Sequence, residues 1–132
     1  MEYLYSATVI SVHDGDTLHL AVDLKRRTRA KDQDLGFGLY VRSGKFVTIT
    51  RFRLYGIDAP ELSTPEGVAA YQYFDHLLKR GTDNYVPLEV ETIKQADHQK
   101  QEKYGRYLAN LWYEGVSLNQ EMVTSGHAVS FL

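Results

Sequence analysis

Apolar and polar residues alternate along much of the first half of the chain, and this period of two is typical of half-buried β-strands. The alternation predicts five strands, over 3–12, 17–23, 46–55, 88–93 and 106–113. The first two strands are separated by Asp14-Gly15, which favours a tight hairpin turn in which the glycine supplies a positive φ. The beginning of the chain is therefore predicted to be a β-hairpin.

Two helices are predicted among and after these strands. Thr64-Pro65-Glu66 is a typical helix start, with a hydroxyl N-cap, proline at the first position and an acid in the first turn. Gly81 can end this helix, and Ser117 begins a capping-box pattern for a shorter helix that Gly126 ends. Five strands with two or three short helices predict a mainly β, α+β fold, built on a small Greek-key barrel.

Charged residues follow directly where the third predicted strand ends. Arg53 lies near that end, and Pro60 cannot continue a strand ladder, so the chain leaves the sheet there. Asp58 and Glu61 are therefore expected in a loop at the strand end. One guanidinium and two carboxylates in such a loop suit a hard metal ion together with a phosphate.

Two further clusters can converge on the same site. Asp16 opens the second strand and shares a face with Leu18 and Leu20, which places it at the rim of the core. Arg106 begins the last predicted strand, at the end of the segment Lys103-Tyr104-Gly105-Arg106.

Taken in order, these segments resemble the staphylococcal nuclease-like, or thermonuclease, family over almost the whole chain, from about 7 to 129. The matching segments are Val12-His13-Asp14-Gly15-Asp16-Thr17, Arg53-Leu54-Tyr55-Gly56-Ile57-Asp58-Ala59-Pro60-Glu61, Lys103-Tyr104-Gly105-Arg106-Tyr107-Leu108-Ala109, and Asn119-Gln120-Glu121-Met122-Val123 followed by Gly126. The resemblance implies that the barrel is of the oligonucleotide-binding (OB) type and that 1–132 is one domain.

The resemblance also implies a metal site. Asp16 and Asp58 match carboxylates that hold a calcium ion, and Ala59 falls where the family uses a backbone carbonyl as a further ligand. Glu61 matches the carboxylate beside the metal-bound water, which is usually assigned as the general base.

Four further residues match positions that contact the substrate. Arg53 and Arg106 match the two arginines that grip the scissile phosphate, and Lys103 and Tyr104 match positions that contact a nucleotide phosphate. The resemblance thus implies a calcium-dependent endonuclease, a phosphodiester hydrolase that cuts DNA or RNA and leaves 3′-phosphate ends.

Other interpretations stay open at this level. Asp14-Gly15-Asp16 can be turn chemistry alone, and Arg53 can simply form a structural salt bridge with Asp58. The alternative function is a non-catalytic OB-fold module that binds nucleic acid or a protein. A structural calcium-binding domain would explain the acidic residues but would give the two arginines no role.

Composition limits the binding partners that the protein can have, but it does not identify an activity. The chain has 132 residues, 43% hydrophobic and 24% charged, and no cysteine, so we expect one globular domain without disulfides or thiolate metal sites. Its formal net charge of −2 disfavours a protein that coats DNA broadly. We expect a DNA or RNA substrate, no membrane contact, and a monomer or weak homodimer. No basic and apolar leader is present at 1–5, so we expect a cytoplasmic protein, whether cellular or phage-encoded.

Two segments depart from the family pattern. The first is the long stretch 25–45, which begins with a basic run, Lys25 to Lys31, that is expected to be solvated, with contact to a nucleic-acid backbone as the less favoured alternative. We expect its apolar residues Leu35, Phe37 and Leu39 to cover barrel surface, either within one chain or across a dimer contact. The second is the end of the chain, where Val129, Phe131 and Leu132 are expected to be buried against the barrel.

Overall fold

The computed structural model describes residues 4–93 and 107–132. The described part contains ten strands and two helices. They are β1 (Leu4–Asp14), β2 (Thr17–Arg27), β3 (Gln33–Gly36), β4 (Leu39–Arg42), β5 (Lys45–Leu54), β6 (Ile57–Asp58), α1 (Pro65–Lys79), β7 (Leu88–Thr92), β8 (Tyr107–Tyr113), β9 (Val116–Ser117), α2 (Leu118–Thr124) and β10 (Val129–Ser130). No helix in this part of the chain has the length and apolar character needed to cross a membrane.

Five of these strands close into a ring. β1 pairs with β2 and with β7, β2 pairs with β5, and β7 pairs with β8, all antiparallel. The ring is closed by a parallel pairing of β5 with β8, in which Arg53 lies opposite Leu108. This five-stranded barrel with two helices confirms the predicted OB-type fold.

The barrel interior is filled by every second residue of its strands, and α1 adds a helical stripe to it. Leu18, Leu20, Phe52 and Leu54 are almost completely buried, as the alternation predicts. Phe74 from α1 is also fully buried. Burial of each such side chain contributes about 1.5–3 kcal/mol to the free energy of unfolding.

Both helices begin as the sequence predicts. The Oγ1 atom of Thr64 accepts a hydrogen bond from the backbone N–H of Gly67, and the Oγ atom of Ser117 accepts one from the N–H of Gln120. α1 ends at Arg80, which adopts the left-handed conformation with φ 49° immediately before Gly81.

Asn119 connects α2 to the two strands that close the barrel. Its side chain is buried, its Oδ1 accepts from the N–H of Leu111, and its Nδ2 donates to the carbonyls of Tyr55 and Ala109. A buried amide with all these bonds fixes the backbone strongly. It therefore fixes Tyr55, two residues after Arg53.

The segment 25–45 extends the sheet instead of covering the barrel. β3 and β4 form a hairpin that lies along the edge of β5, with Leu39 opposite Thr48 and Arg42 opposite Lys45. Leu35 is 40% exposed and Phe37 108% exposed, so the expectation that they cover barrel surface within one chain is wrong, and coverage across a dimer contact stays a prediction. The reason is that the hairpin continues the plane of the sheet, where backbone pairing and the burial of Val41 in β4 hold it while the side chains of β3 stay exposed.

The end of the chain packs against the barrel, as expected, but through backbone pairing rather than through side-chain burial. β10 pairs with β6, and the N–H of Phe131 donates to the carbonyl of Gly56. Val129, Phe131 and Leu132 are nevertheless 66%, 59% and 82% exposed, so their predicted burial is wrong. Backbone pairing orders this segment, and its side chains lie on the barrel surface, with Phe131 near Arg53 and Leu132 against Gly56.

Candidate active site

Asp16 connects the β1–β2 turn to the segment that follows β6. Its side chain is buried, and its Oδ2 accepts a hydrogen bond of 2.9 Å from the backbone N–H of Ala59. The other carboxylate oxygen accepts from the hydroxyl of Thr17 at 3.1 Å. The predicted position of Asp16 at the rim of the core is confirmed, and the two predicted site segments meet there.

Gly15 allows these two segments to meet because it packs closely against residues that are distant in the sequence. The hairpin turn is confirmed, but Gly15 is not among the glycines with positive φ, so that part of the prediction is wrong. A Cβ atom added to Gly15 would lie 2.8 Å from the Cβ of both Ala59 and Ala70. Glycine is therefore required because the turn packs directly against α1 and the Ala59 segment.

The guanidinium of Arg53 lies between two carboxylates. Its Nη2 atom is 3.0 Å from Oδ1 of Asp58 and 3.6 Å from Oδ2 of Asp16. The Arg53 side chain is only 18% exposed, whereas that of Asp58 is 62% exposed. The ring of Phe131 lies 5.9 Å from the guanidinium and contributes to its burial, a contact absent from the predicted site.

The pKa of the Asp16 carboxyl is raised to about 6, mainly by burial. The nearby Asp14 carboxylate raises it further, while the Ala59 N–H and the positive charge of Arg53 lower it. Above this pH the protein holds a buried carboxylate whose charge is incompletely compensated. A further cation that binds beside such a carboxylate stabilises its ionised form.

Glu61 lies four residues before the first residue of α1 and is exposed. Its carbonyl oxygen accepts hydrogen bonds from the backbone N–H and the Oγ1 of Thr64, at 3.0 Å and 2.7 Å. A Cβ atom added to Gly67 would lie 1.7 Å from this same carbonyl oxygen. Gly67 thus allows the Glu61 backbone to rest on the first turn of the helix.

Gly67→Ala should therefore destabilise the protein, although a glycine-to-alanine change inside a helix normally stabilises by about 0.5–1 kcal/mol. The added methyl group must displace the Glu61 backbone, so both the melting temperature and any cleavage activity should fall. The exposed neighbour Val68 provides the control, because Val68→Ala should change neither. Thermal melts and cleavage assays measure both effects, and a Gly67→Ala protein as stable and active as wild type would contradict this packing.

The ligands available for a metal ion are oxygen atoms. Asp16 and Asp58 contact the same guanidinium nitrogen, so their carboxylates are close together, and Ala59 lies beside Asp16. Within 4–93 and 107–132, no group of three or more His, Asp or Glu side chains is arranged to hold a metal. Two carboxylates with a backbone carbonyl still match the ligand preference of calcium, which accepts water for its remaining ligands.

Three predicted site residues lie outside the described residues, namely Lys103, Tyr104 and Arg106. β8 begins at Tyr107, which pairs with Phe52 in β5. Of the remaining predicted residues, the structure brings together Asp16, Arg53, Asp58 and Ala59. Glu61 follows Asp58 by three residues and lies just before α1.

The fold and this cluster together define the class: an OB-type barrel in which Arg53 of β5 contacts the carboxylates of Asp16 and Asp58. Asp16 follows the β1–β2 turn, and Asp58 lies in the short strand β6 rather than in the expected loop. A family model described as staphylococcal nuclease homologue matches residues 51–131, which is more than half of the chain. The chain therefore belongs to the staphylococcal nuclease homologue family. A comparison with curated proteins finds no match. The matched segment begins after Asp16, which reaches the site through the pairing of β2 with β5.

Proposed function

We propose that this protein is a calcium-dependent nuclease that hydrolyses phosphodiester bonds of DNA or RNA and leaves 3′-phosphate ends. Proteins of its family are generally nucleases. The observation that best supports the proposal is the guanidinium of Arg53 in contact with both Asp16 and Asp58. This arrangement collects a phosphate-binding cation and oxygen ligands for a metal at one place.

Arg53 binds the scissile phosphate in this proposal. Its planar fork donates two parallel hydrogen bonds to phosphate oxygens, which a lysine cannot do. Its ion pair with the exposed Asp58 contributes only about 0–1 kcal/mol, so a phosphate can replace that partner at little cost. Arg106, by the family resemblance, provides the second fork on the same phosphate, while Lys103 and Tyr104 contact a neighbouring phosphate.

Asp16, Asp58 and the backbone carbonyl of Ala59 are the groups that would hold the calcium ion. When bound, calcium supplies a positive charge that polarises a phosphate oxygen and orients water. The raised pKa of Asp16 is consistent with this role, because a cation beside the buried carboxylate favours its ionised form.

Glu61 acts as the general base in the proposed reaction. A water molecule transfers a proton to the Glu61 carboxylate as its oxygen forms the new bond to phosphorus. The bond from phosphorus to the 5′ oxygen breaks, and that oxygen leaves as a hydroxyl after taking up a proton from solvent. Arg53 and Arg106 stabilise the extra negative charge on the phosphoryl oxygens during the transition.

The second candidate is a non-catalytic OB-fold module, and the exposed position of Glu61 just before α1 is the observation that favours it. A nicking assay on supercoiled plasmid, with calcium and with excess chelator, separates the two functions. The nuclease should convert the plasmid to open circles only with calcium. Glu61→Gln should stop this conversion, whereas Glu66→Gln, an equal charge change at a nearby exposed acid, should not. Binding without cutting under all conditions would support the module.

A further inference from the structure

A groove of about 520 Å³ lies on the outer face of the barrel, apart from the cluster around Arg53. Its floor is formed by outward-facing residues of three neighbouring strands and is largely apolar. These residues are Thr8 and Ile10 in β1, Ala21 in β2, and Val47 and Ile49 in β5. Ile10 is 50% exposed, so this sheet face presents apolar surface to the outside.

One end of the groove is positively charged. Arg42 and Lys45 both line it, are exposed, and lie opposite each other in the pairing of β4 with β5. Neither forms a salt bridge with a described residue. The acidic lining residue Asp23 is 3.3 Å from Arg27 and also attracts Lys45, so the two cations and one anion of the lining leave the groove with a net positive charge. The insertion 25–45 thus forms a cationic end of an apolar groove, with Arg42 from β4 and Lys45 from the first position of β5.

β5 connects this cationic end to the candidate active site. Alternation places Lys45, Val47, Ile49, Arg51 and Arg53 on one face of the strand. Lys45 lies eight positions before Arg53, which corresponds to about 26 Å along the strand. Between them, the Nε atom of Arg51 is buried without a hydrogen-bond partner among the described residues.

We propose that the groove binds a second part of the same single nucleic-acid strand whose scissile phosphate lies at Arg53. Arg42 and Lys45 contact its phosphates, and the apolar floor contacts its unpaired bases. A single strand fits better than a duplex because only unpaired bases can turn their faces to an apolar surface. The inference rests on the proposed nuclease function, and it assigns a role to the insertion between β2 and β5.

The groove predicts that binding depends on substrate length. A very short oligonucleotide can occupy Arg53 but cannot span the strand to Lys45, whereas a longer single strand reaches both. Fluorescence anisotropy with labelled single strands of increasing length, in the presence of chelator, measures this directly. The wild-type protein should bind the long strands more tightly than the short ones, and kinetic assays with calcium should show a lower KM for them.

The test variant is Arg42→Ala/Lys45→Ala. It should weaken binding of the long strand about tenfold and reduce the steepness of its salt dependence by about 1.4, as expected for two lost phosphate contacts. Binding of the short strand and kcat should not change. The matched control is Arg29→Ala/Lys31→Ala, which removes two exposed cations from the same insertion but not from the groove.

Length-independent binding by the wild-type protein, or equal losses in the two double variants, would overturn the groove assignment. Preference for duplex over single strands of equal length would do the same. Because binding is measured in chelator, these results do not depend on cleavage. If the wild-type protein cuts no substrate with calcium, the proposed nuclease function fails, and the length series still decides whether the groove binds a single strand.

Discussion

Arg53→Lys should lower the cleavage rate by about 10²–10³-fold while the melting temperature stays close to that of the wild-type protein. Lysine keeps the positive charge and can still approach Asp58, but it loses the planar fork that matches phosphate oxygens. Stability should change little because lysine keeps the positive charge that faces the buried Asp16, and the pair with Asp58, which is 62% exposed, contributes only about 0–1 kcal/mol. Arg106→Lys should lower the rate similarly by the same argument.

The control for this experiment is Arg80→Lys. Like Arg53, Arg80 contacts both a carboxylate and an aromatic ring. Its Nη1 atom lies 3.2 Å from Glu121, and its guanidinium lies 5.1 Å from the centre of the Tyr113 ring. It belongs to the end of α1, so its replacement should leave the single-turnover rate unchanged. Near wild-type rates in both Arg53→Lys and Arg106→Lys would show that these arginines serve only as structural ion-pair partners.

The strands of the barrel could be predicted from the sequence because burial of one face imposes a period of two. Leu18, Leu20, Phe52 and Leu54 follow this period and fill the interior. β3 in the insertion carries no such signal, because all four of its residues are exposed and its pairing depends on backbone hydrogen bonds to β4. In β4 only Val41 is buried, which is too little for a period of two to appear. The sequence therefore indicates that the alternation stops at Lys25, but it does not predict the β3–β4 hairpin that follows.

The candidate site was predictable as a set of charged residues but not as a packed arrangement. The segments that contain Asp16 and Arg53 could be recognised, whereas the contacts that hold them could not. Gly15 packs against Ala59, and Phe131 lies over Arg53, through contacts between residues far apart in the chain. The sequence does contain one signal of a close backbone contact. Gly67 lies in the first turn of a well-capped helix, where glycine is unfavourable unless another backbone approaches closely.

Asp16→Asn should stabilise the protein in chelator at pH 7–8 and should weaken its stabilisation by calcium. The pKa of Asp16 is about 6 in the folded protein and 3.8 without the fold, so the folded state holds the proton more tightly. The contribution of Asp16 to the free energy of unfolding therefore falls as pH rises from about 3.8 to about 6 and is constant above. A shift of this size corresponds to about 2–3 kcal/mol.

The measurement is a series of thermal melts between pH 4 and pH 8, in chelator and in millimolar calcium, for the wild-type protein and the variant. In chelator, the two curves should separate as pH rises, with Asp16→Asn the more stable at high pH because it keeps an oxygen for the N–H of Ala59 without burying a charge. The control Asp34→Asn removes an exposed carboxylate from the insertion and should follow the wild-type curve.

Calcium should raise the melting temperature of the wild-type protein at pH 8 and less at pH 5, because protons compete with the ion for the Asp16 carboxylate. It should have little effect on Asp16→Asn at either pH. If that variant is instead less stable than wild type at pH 8 in chelator, the N–H of Ala59 and the charge of Arg53 outweigh the cost of burial. If calcium stabilises both proteins equally, Asp16 is not a calcium ligand, and the metal site proposed here is wrong.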